Sequence, residues 1–277
     1  YRSVSGMRIA PERVGEAQVF RPWGWEVVLL VSEDVKQALE RVGATGQKFE
    51  EVTGPSPISS EERARRRWTR ERHEQAMAAR EGVWRSQGNL DDEVTLLVVG
   101  GNWPSGSAVW KVIHRPQGRT LLVTDGLSDP FSEENGLSVG FGLELALETD
   151  AVMKKVRTSW PFKLMERVSN EVAAHEHVRE RMKASLFSME VSGKGLPRSL
   201  LTGEGRVGVL LGMEARTLPA HFTLPAGEVT LVTVKALLPA ELDYLLARGA
   251  EGQVELARRF TANGEDHVSR VRRRPVV

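Results

Sequence analysis

Several residue groups in this chain have types and spacings that chemistry could use. Gly136-Leu137-Ser138-Val139-Gly140 has the G-x-S-x-G spacing of a nucleophile elbow, which sets a serine on a strained turn between a strand and a helix. Here polar residues precede the motif and a long alternating strand follows it, so the context is inverted. His175-Glu176-His177 would need a spacing of four, not two, to put both rings on one helical face toward a zinc ion, and His73, His114, His221 and His267 are isolated. Asp125 and Asp129 are two carboxylates beside a turn, the equipment of a glycosidase if they face each other across a cleft. The simpler physics is that Asp125-Gly126 and Asp129-Pro130 make turns. Gly193-Lys194-Gly195 lacks the spacing of a phosphate loop. Trp103 sits in a Gly-rich loop, where an exposed aromatic would serve as a contact anchor and burial under a neighbouring strand is the equal alternative. A hydrolase using Asp125, Asp129 or Ser138 therefore remains only an alternative.

The bulk composition narrows the classes further. The 277 residues include no cysteine, which excludes disulfides, thiolate metal sites and cysteine nucleophiles. The absence is compatible with a reducing cytoplasm, the expected location. Lys+Arg (38) and Asp+Glu (37) nearly cancel, so no whole-protein basic field draws nucleic acid. No apolar run reaches the roughly 18 residues that would span a bilayer. The chain starts at Tyr1, so a missing signal peptide says nothing. No metal, cofactor or catalytic residue is expected.

The elements that must position these groups fall into regions. In residues 1–54 the run Val27–Val31 predicts a buried strand. Ser32 predicts a helix cap, with Val35, Leu39 and Val42 as the helical stripe and Gly43 as the stop, and Phe49 and Val52 predict a short closing strand. Residues 55–90 read as a linker helix: Glu61–Glu81 carries seven Arg and five Glu, and the Glu residues offset most of the basic run. A nucleic-acid helix using Arg63–Arg72 is the sharper alternative; the plainer reading is a solvated helix with Trp68, Met77 and Trp84 resting on the main body.

Residues 91–269 form the main body. Val94–Val99, Ala108–His114 and Thr120–Thr124 predict strands, the last two joined by the turn Arg115-Pro116-Gln117-Gly118. Ser138–Glu148 predicts a half-buried strand, with Val139, Phe141, Leu143, Leu145 and Leu147 on one face. Pro161 opens a helix with Met165, Val168 and Val172 as its stripe. Strands at Gly205–Met213 and Glu228–Leu238 follow, then a helix from Pro239 to Gly249 and another over 252–261. Residues 270–277 predict a frayed basic tail. Together these give an α+β fold: a mixed, largely antiparallel sheet with helices packed on one side.

The order of these pieces resembles the Suppressor of fused family domain over residues 91–269. The resemblance is carried by Thr124-Asp125-Gly126-Leu127-Ser128 after a strand, Gly140-Phe141-Gly142-Leu143-Glu144-Leu145, Trp160-Pro161 opening a helix, Leu201-Thr202-Gly203-Glu204-Gly205 before Val207–Met213, and the Pro239-Ala240-Glu241-Leu242 helix. It implies a sheet domain that binds protein partners and has no catalytic centre, and bacterial members are often immunity proteins of polymorphic toxin systems. Animal members carry a further C-terminal domain; with the chain ending at Val277, the animal signalling role is not implied. Residues 1–54 resemble the C-terminal end of immunity proteins from myxobacterial-type toxin loci, through Val27–Val31, Ser32-Glu33, Ala38-Leu39 and Gly46-Gln47-Lys48-Phe49.

The expectation is a protein that neutralises a cognate toxin domain, with neither membrane nor nucleic acid as partner. The proposed contacts are the acidic loop Asp125, Asp129, Glu133 and Glu134, facing a basic cleft, with Trp103 as the buried anchor.

Overall fold

A computed structural model describes residues 9, 14, 17–21, 29–53, 60–131 and 138–277. The chain divides into two compact units, Tyr1–Arg66 and Arg67–Val277.

In the first unit β1 (Val19–Phe20) pairs antiparallel with β2 (Leu30–Val31), Phe20 opposite Leu30. Val27 and Val28 of the expected strand lie outside the described residues. Helix α1 (Glu33–Arg41) starts where Ser32 Oγ accepts the Val35 N–H at 3.3 Å, and Gly43 follows it at φ 68°. The expected closing strand at Phe49 and Val52 is not formed. Gly46 turns the backbone at φ 89°, and Lys48, Glu50 and Glu51 leave no apolar alternation to hold a strand edge.

Helix α2 (Ser60–Gln87) crosses the division, and the second unit begins within it. The rest of that unit is built on a sheet of β3 (Asn89–Leu90), β4 (Leu96–Val99), β5 (Ser107–His114), β6 (Thr120–Thr124), β7 (Leu143–Thr149), β8 (Phe187–Ser192), β9 (Arg206–Leu211), β10 (His221–Leu224) and β11 (Gly227–Ala236). Its order is β3-β5-β6-β7-β11-β9-β8, with β4 on β5 and β10 on β11. All pairings are antiparallel except β7 with β11, which run parallel with Leu143 opposite Thr230. The expected α+β class, with a mixed and mostly antiparallel sheet, is what the chain forms.

The helices lie on both faces of the sheet rather than one. Helix α3 (Trp160–Ala174) opens with Pro161 and a Ser159 cap, and presses Phe162, Met165, Val168 and Val172 onto Val112, Leu122, Leu145 and Leu147. A second helix, α4 (Glu176–Ala184), adds Val178 and Met182 to that face. On the opposite face Trp84 of α2 packs with Ile113, Leu121, Val123 and Ala146. There too α5 (Pro239–Ala262) covers Leu210 with Leu242, Leu245, Leu256 and Phe260. The two helices expected at Pro239 and 252–261 are one element, broken at Gly249 (φ 58°, ψ −138°).

Three sequence expectations need correction. The strand expected from Ser138 begins at Leu143, because Gly140 and Gly142 take positive φ and the Gly142 N–H closes a turn onto the Val139 carbonyl at 2.7 Å. Gly140 is required there: a Cβ would lie 2.3 Å from the Asp129 carbonyl oxygen. The strand is also buried on both faces, since helices cover both. Finally, the basic tail is pinned rather than frayed. Ser269 bridges to Thr149 and inserts beside β11, where its Oγ accepts the Ala236 N–H at 2.9 Å and donates to the Val234 carbonyl. Arg273 clasps the Glu241 carboxylate with both terminal nitrogens, and Arg270 reaches Asp150 at 3.3 Å.

Leu143 is 0% exposed in the face that meets α3. Leu143→Asp is expected to cost more than about 4 kcal/mol, because it buries an unpaired charge. A thermal melt followed by circular dichroism should lose its cooperative transition, and an unchanged midpoint would remove this residue from the core.

Candidate functional site

The densest polar chemistry lies where α2 crosses the end of β6. Ala76, Arg80 and Trp84 recur at the four-residue spacing of one helical face, and all are buried. Arg80 is thereby driven into the sheet face with 0% of its side chain exposed. Its Nε donates to Asp125 Oδ1 at 3.0 Å, Nη2 donates to the Asp125 carbonyl and to Asp129 Oδ1, and Nη1 donates to Ser128 Oγ at 3.3 Å. Trp84 Nε1 donates to the same Asp125 oxygen at 2.7 Å. Lys111 of β5 places its Nζ 3.3 Å from Asp125 Oδ2.

Glu144 of β7 closes the cluster from below. It accepts from the Ser128 N–H at 2.9 Å, from Ser128 Oγ at 2.6 Å and from Thr124 Oγ1, while Thr124 Oγ1 also accepts the Leu145 N–H at 2.7 Å. Burial pushes the Glu144 carboxyl up to about 7, against the pull of Arg80 and of the hydroxyls of Ser128 and Thr124. Burial opposes the charge on Arg80 as well, but Glu144, Asp125 and Asp129 hold it above its ordinary pKa. The segment Thr124–Asp129 is thus a sealed socket for one guanidinium. It presents no ionisable group to solvent and joins helix, loop and strand.

These positions correct the expected site. Asp125 and Asp129 are each 2% exposed and are spent on Arg80, so they form neither an acidic loop nor a pair flanking a cleft. Trp103 is 4% exposed. Its indole N–H donates to Asn170 Oδ1 at 3.1 Å and its ring meets Trp110 edge-on at 5.3 Å, so it anchors the β4–β5 loop to α3 instead of facing a partner. Glu133 and Glu134 lie outside the described residues. Ser138 Oγ accepts the Gly140 N–H at 3.1 Å, a turn contact, and the small hollow beside it is lined, among the described residues, by Gln75, Ala76, Pro130 and Pro225 with no histidine or carboxylate. His175 and His177 are exposed at the junction of α3 and α4, His175 facing Glu171 at 3.3 Å. No group of three metal-ligating side chains occurs among the described residues, and no described helix is long and apolar enough to cross a membrane. Of the basic stretch, the exposed Arg70 pairs with Glu74 at 3.4 Å.

Sequence reasoning missed Arg80, Lys111 and Glu144. The available signal was an arginine recurring with Ala76 and Trp84 on one helical face, and a glutamate inside a strand of large apolar residues.

A second feature is on the surface. The segment before α3 carries Lys154, Lys155 and Arg157, the first turns of α3 carry Lys163 and Arg167, and the loop after β8, which meets α3 at Lys163 and Arg167, carries Lys194 and Arg198. Arg167 donates to the carbonyls of Ser192 and Lys194, and Lys163 Nζ lies over Gly195. Residues 151–167 and 192–198 hold these seven cations against one carboxylate, Glu166, a local net charge of +6 in a chain of net +1. Five of the seven are exposed, and none has a carboxylate partner among the described residues. Elsewhere Arg85, Lys111, Arg119 and Arg270 each have one.

Fold and site together define an α+β domain locked by a buried arginine, with a segregated basic surface. No family model and no curated protein matches the sequence. Among solved structures the chain is similar to Suppressor of fused proteins. The Sufu–Fu complex aligns at 15% identity over 74% of this chain and 92% of that one, with a TM-score of 0.43. Drosophila Suppressor of fused aligns at 15% over 73%, with a TM-score of 0.44, and this chain spans 50% of its length. A Suppressor of fused homologue from Neisseria gonorrhoeae FA 1090 aligns at 11% over 75% and 98% of the two chains, with a TM-score of 0.48. These are structures of the family whose motif order residues 91–269 resemble.

Removing Arg80 takes the guanidinium away from three buried carboxylates, of which only Asp125 keeps a lysine, Lys111. Arg80→Met is expected to cost about 3–5 kcal/mol in urea unfolding, and a loss below about 1 kcal/mol would show that the socket is not the lock.

Glu144 makes stability depend on pH. The unfolded chain releases this proton near the ordinary value of 4.5 and the folded chain near 7, so the folded state holds the extra proton between those values. Stability therefore falls as pH rises through this window, by on the order of 3 kcal/mol. Glu144→Gln, which has no such proton to lose, should flatten that decline when unfolding free energies are compared at about pH 5 and about pH 7.5.

Proposed function

We propose that this chain is a non-enzymatic protein-binding domain, acting in the cytoplasm as an immunity protein that neutralises a cognate toxin. Two observations support the non-enzymatic reading. The carboxylates Asp125 and Asp129 are consumed in holding Arg80, and among the described residues no base is bonded to Ser138. The family resemblance of residues 91–269 supplies the immunity context.

The single observation that carries protein binding is the unneutralised basic surface around Lys154, Lys155, Lys163 and Lys194. Like charges held together without partners repel, and an acidic surface on another molecule relieves that repulsion and speeds its own approach. Val152, 88% exposed beside the lysines, supplies an apolar contact within the charged rim. With Asp125 and Asp129 inside the fold, the expected charge relation reverses: the domain offers the basic side, and the toxin offers the acidic one. The same surface also suits a phosphate backbone, which keeps nucleic-acid binding as the second reading.

The test is the combined substitution Lys154→Glu, Lys155→Glu and Lys194→Glu, assayed against purified candidate toxin domains encoded by the genes that flank this one. The association rate is expected to fall at least ~10-fold and to lose its dependence on ionic strength, with the melting midpoint unchanged. Unchanged kinetics would remove this surface from the interface. Tight binding of a mixed-sequence DNA duplex, with the affinity falling steeply as salt rises, would favour the second reading.

A further inference from the structure

The two edges of the sheet are treated differently by the sequence. At the β8 edge Arg206 and Arg167 donate to the carbonyls of Glu190 and Ser192, and Gln253 of α5 bonds Ser188. Charges and a helix cover that side, the usual protection of a strand edge. At the other edge, among the described residues, β4 has no such cover. Residues 94–102 read Val-Thr-Leu-Leu-Val-Val-Gly-Gly-Asn, without a charge or a proline. Leu97, Val98 and Val99 are 53%, 43% and 81% exposed.

The pairing identifies which backbone groups of β4 are open. In β5 the Val109 carbonyl is spent on Asp125 of the β6 side, and the Val112 carbonyl on Asp91 of the β3 side. Alternation then turns Ala108 and Trp110 toward β4, opposite Val98 and Leu96. Leu97 and Val99 consequently aim their N–H and C=O groups away from the sheet.

We propose that this edge pairs with the β4 edge of a second copy of the chain, making an isologous dimer with its two-fold axis at Val98. About that axis Leu97 lies opposite Val99 of the other copy and the reverse, so the open backbone groups satisfy one another. Leu97 and Val99 of both copies then form one apolar cluster on one face, and the two Val98 side chains meet on the other. Like charges stay apart: Glu93 of each copy ends up roughly 30 Å from its equivalent, ten residues of strand away. An uncharged, self-complementary edge fits itself better than it fits the acidic partner proposed for the lysine surface, and the two contacts use different parts of the molecule.

The test uses the full chain. Sedimentation velocity from about 1 to 200 µM is expected to show a dimer, and Val98→Lys, which opposes two ammonium groups at the axis, should raise the dimer dissociation constant at least ~30-fold. The chain contains no cysteine, so Val98→Cys adds a unique thiol at a non-hydrogen-bonded pair, whose ~4.5 Å Cα separation suits a disulfide. Mild oxidation should crosslink it, while Val152→Cys, at the more exposed position, should stay uncrosslinked. A monomer at every concentration overturns the proposal. So does a dimer that survives Val98→Lys, or crosslinking at Val98→Cys no faster than at Val152→Cys. If Val98→Lys fails to fold, the crosslinking comparison decides alone. None of these outcomes bears on toxin binding, which the lysine substitutions probe separately.

Discussion

A guanidinium with no access to water has to be surrounded by acceptors, and that requirement organises this domain. Arg80 enters from a helix, Asp125 and Asp129 come from the loop after β6, and Glu144 rises from β7. Each of these groups would be costly to bury alone. Together they fix the height of α2 over the sheet, the path of the Thr124–Asp129 loop and the register in which β6 and β7 meet.

The remaining contacts at this junction follow from that arrangement. Trp84 takes the second position on the Asp125 oxygen, which sets its ring against Phe222 edge-on at 5.4 Å and extends the core toward β10. Thr124 sits at the end of β6 because its hydroxyl serves two masters, donating to Glu144 and accepting the Leu145 N–H. Gly140 leaves room for the loop carbonyls that pass over it. A stretch that reads as a candidate catalytic motif is thus a stretch whose carboxylates hold Arg80 and whose hydroxyls tie the loop to Glu144.

Much of the sheet was legible because its code is local. The alternation of Leu143, Leu145 and Leu147, the turn at Arg115–Gly118 and the proline-led helices at Trp160 and Pro239 depend on neighbours in the chain. The buried charges were not legible for the opposite reason. Arg80 is one of seven arginines in a Glu-rich stretch, and what sets it apart from the exposed Arg70 is its partners 45 to 49 residues away. The tail was misread in the same way: four arginines near a terminus suggest a solvated end, yet Arg273 answers to Glu241, 32 residues upstream. Trp103 looked exposed because its loop is rich in glycine; its place is decided by Asn170, 67 residues away.

Ser269 bears on the order in which the domain assembles. It finishes the gap that opens where β7 and β11 diverge, and its partner Thr149 is 120 residues earlier in the chain. The hairpin of β5 and β6 can close early, since its two strands are joined by a short turn. The parallel join of β7 to β11 must wait for the chain between them, and the Ser269 wedge waits for that join. Closing loops of this size before any contact rewards them is entropically slow. An antiparallel β4–β7 meander would therefore form first, with its parallel edge still open, and docking of the C-terminal segment would be the step that makes folding final.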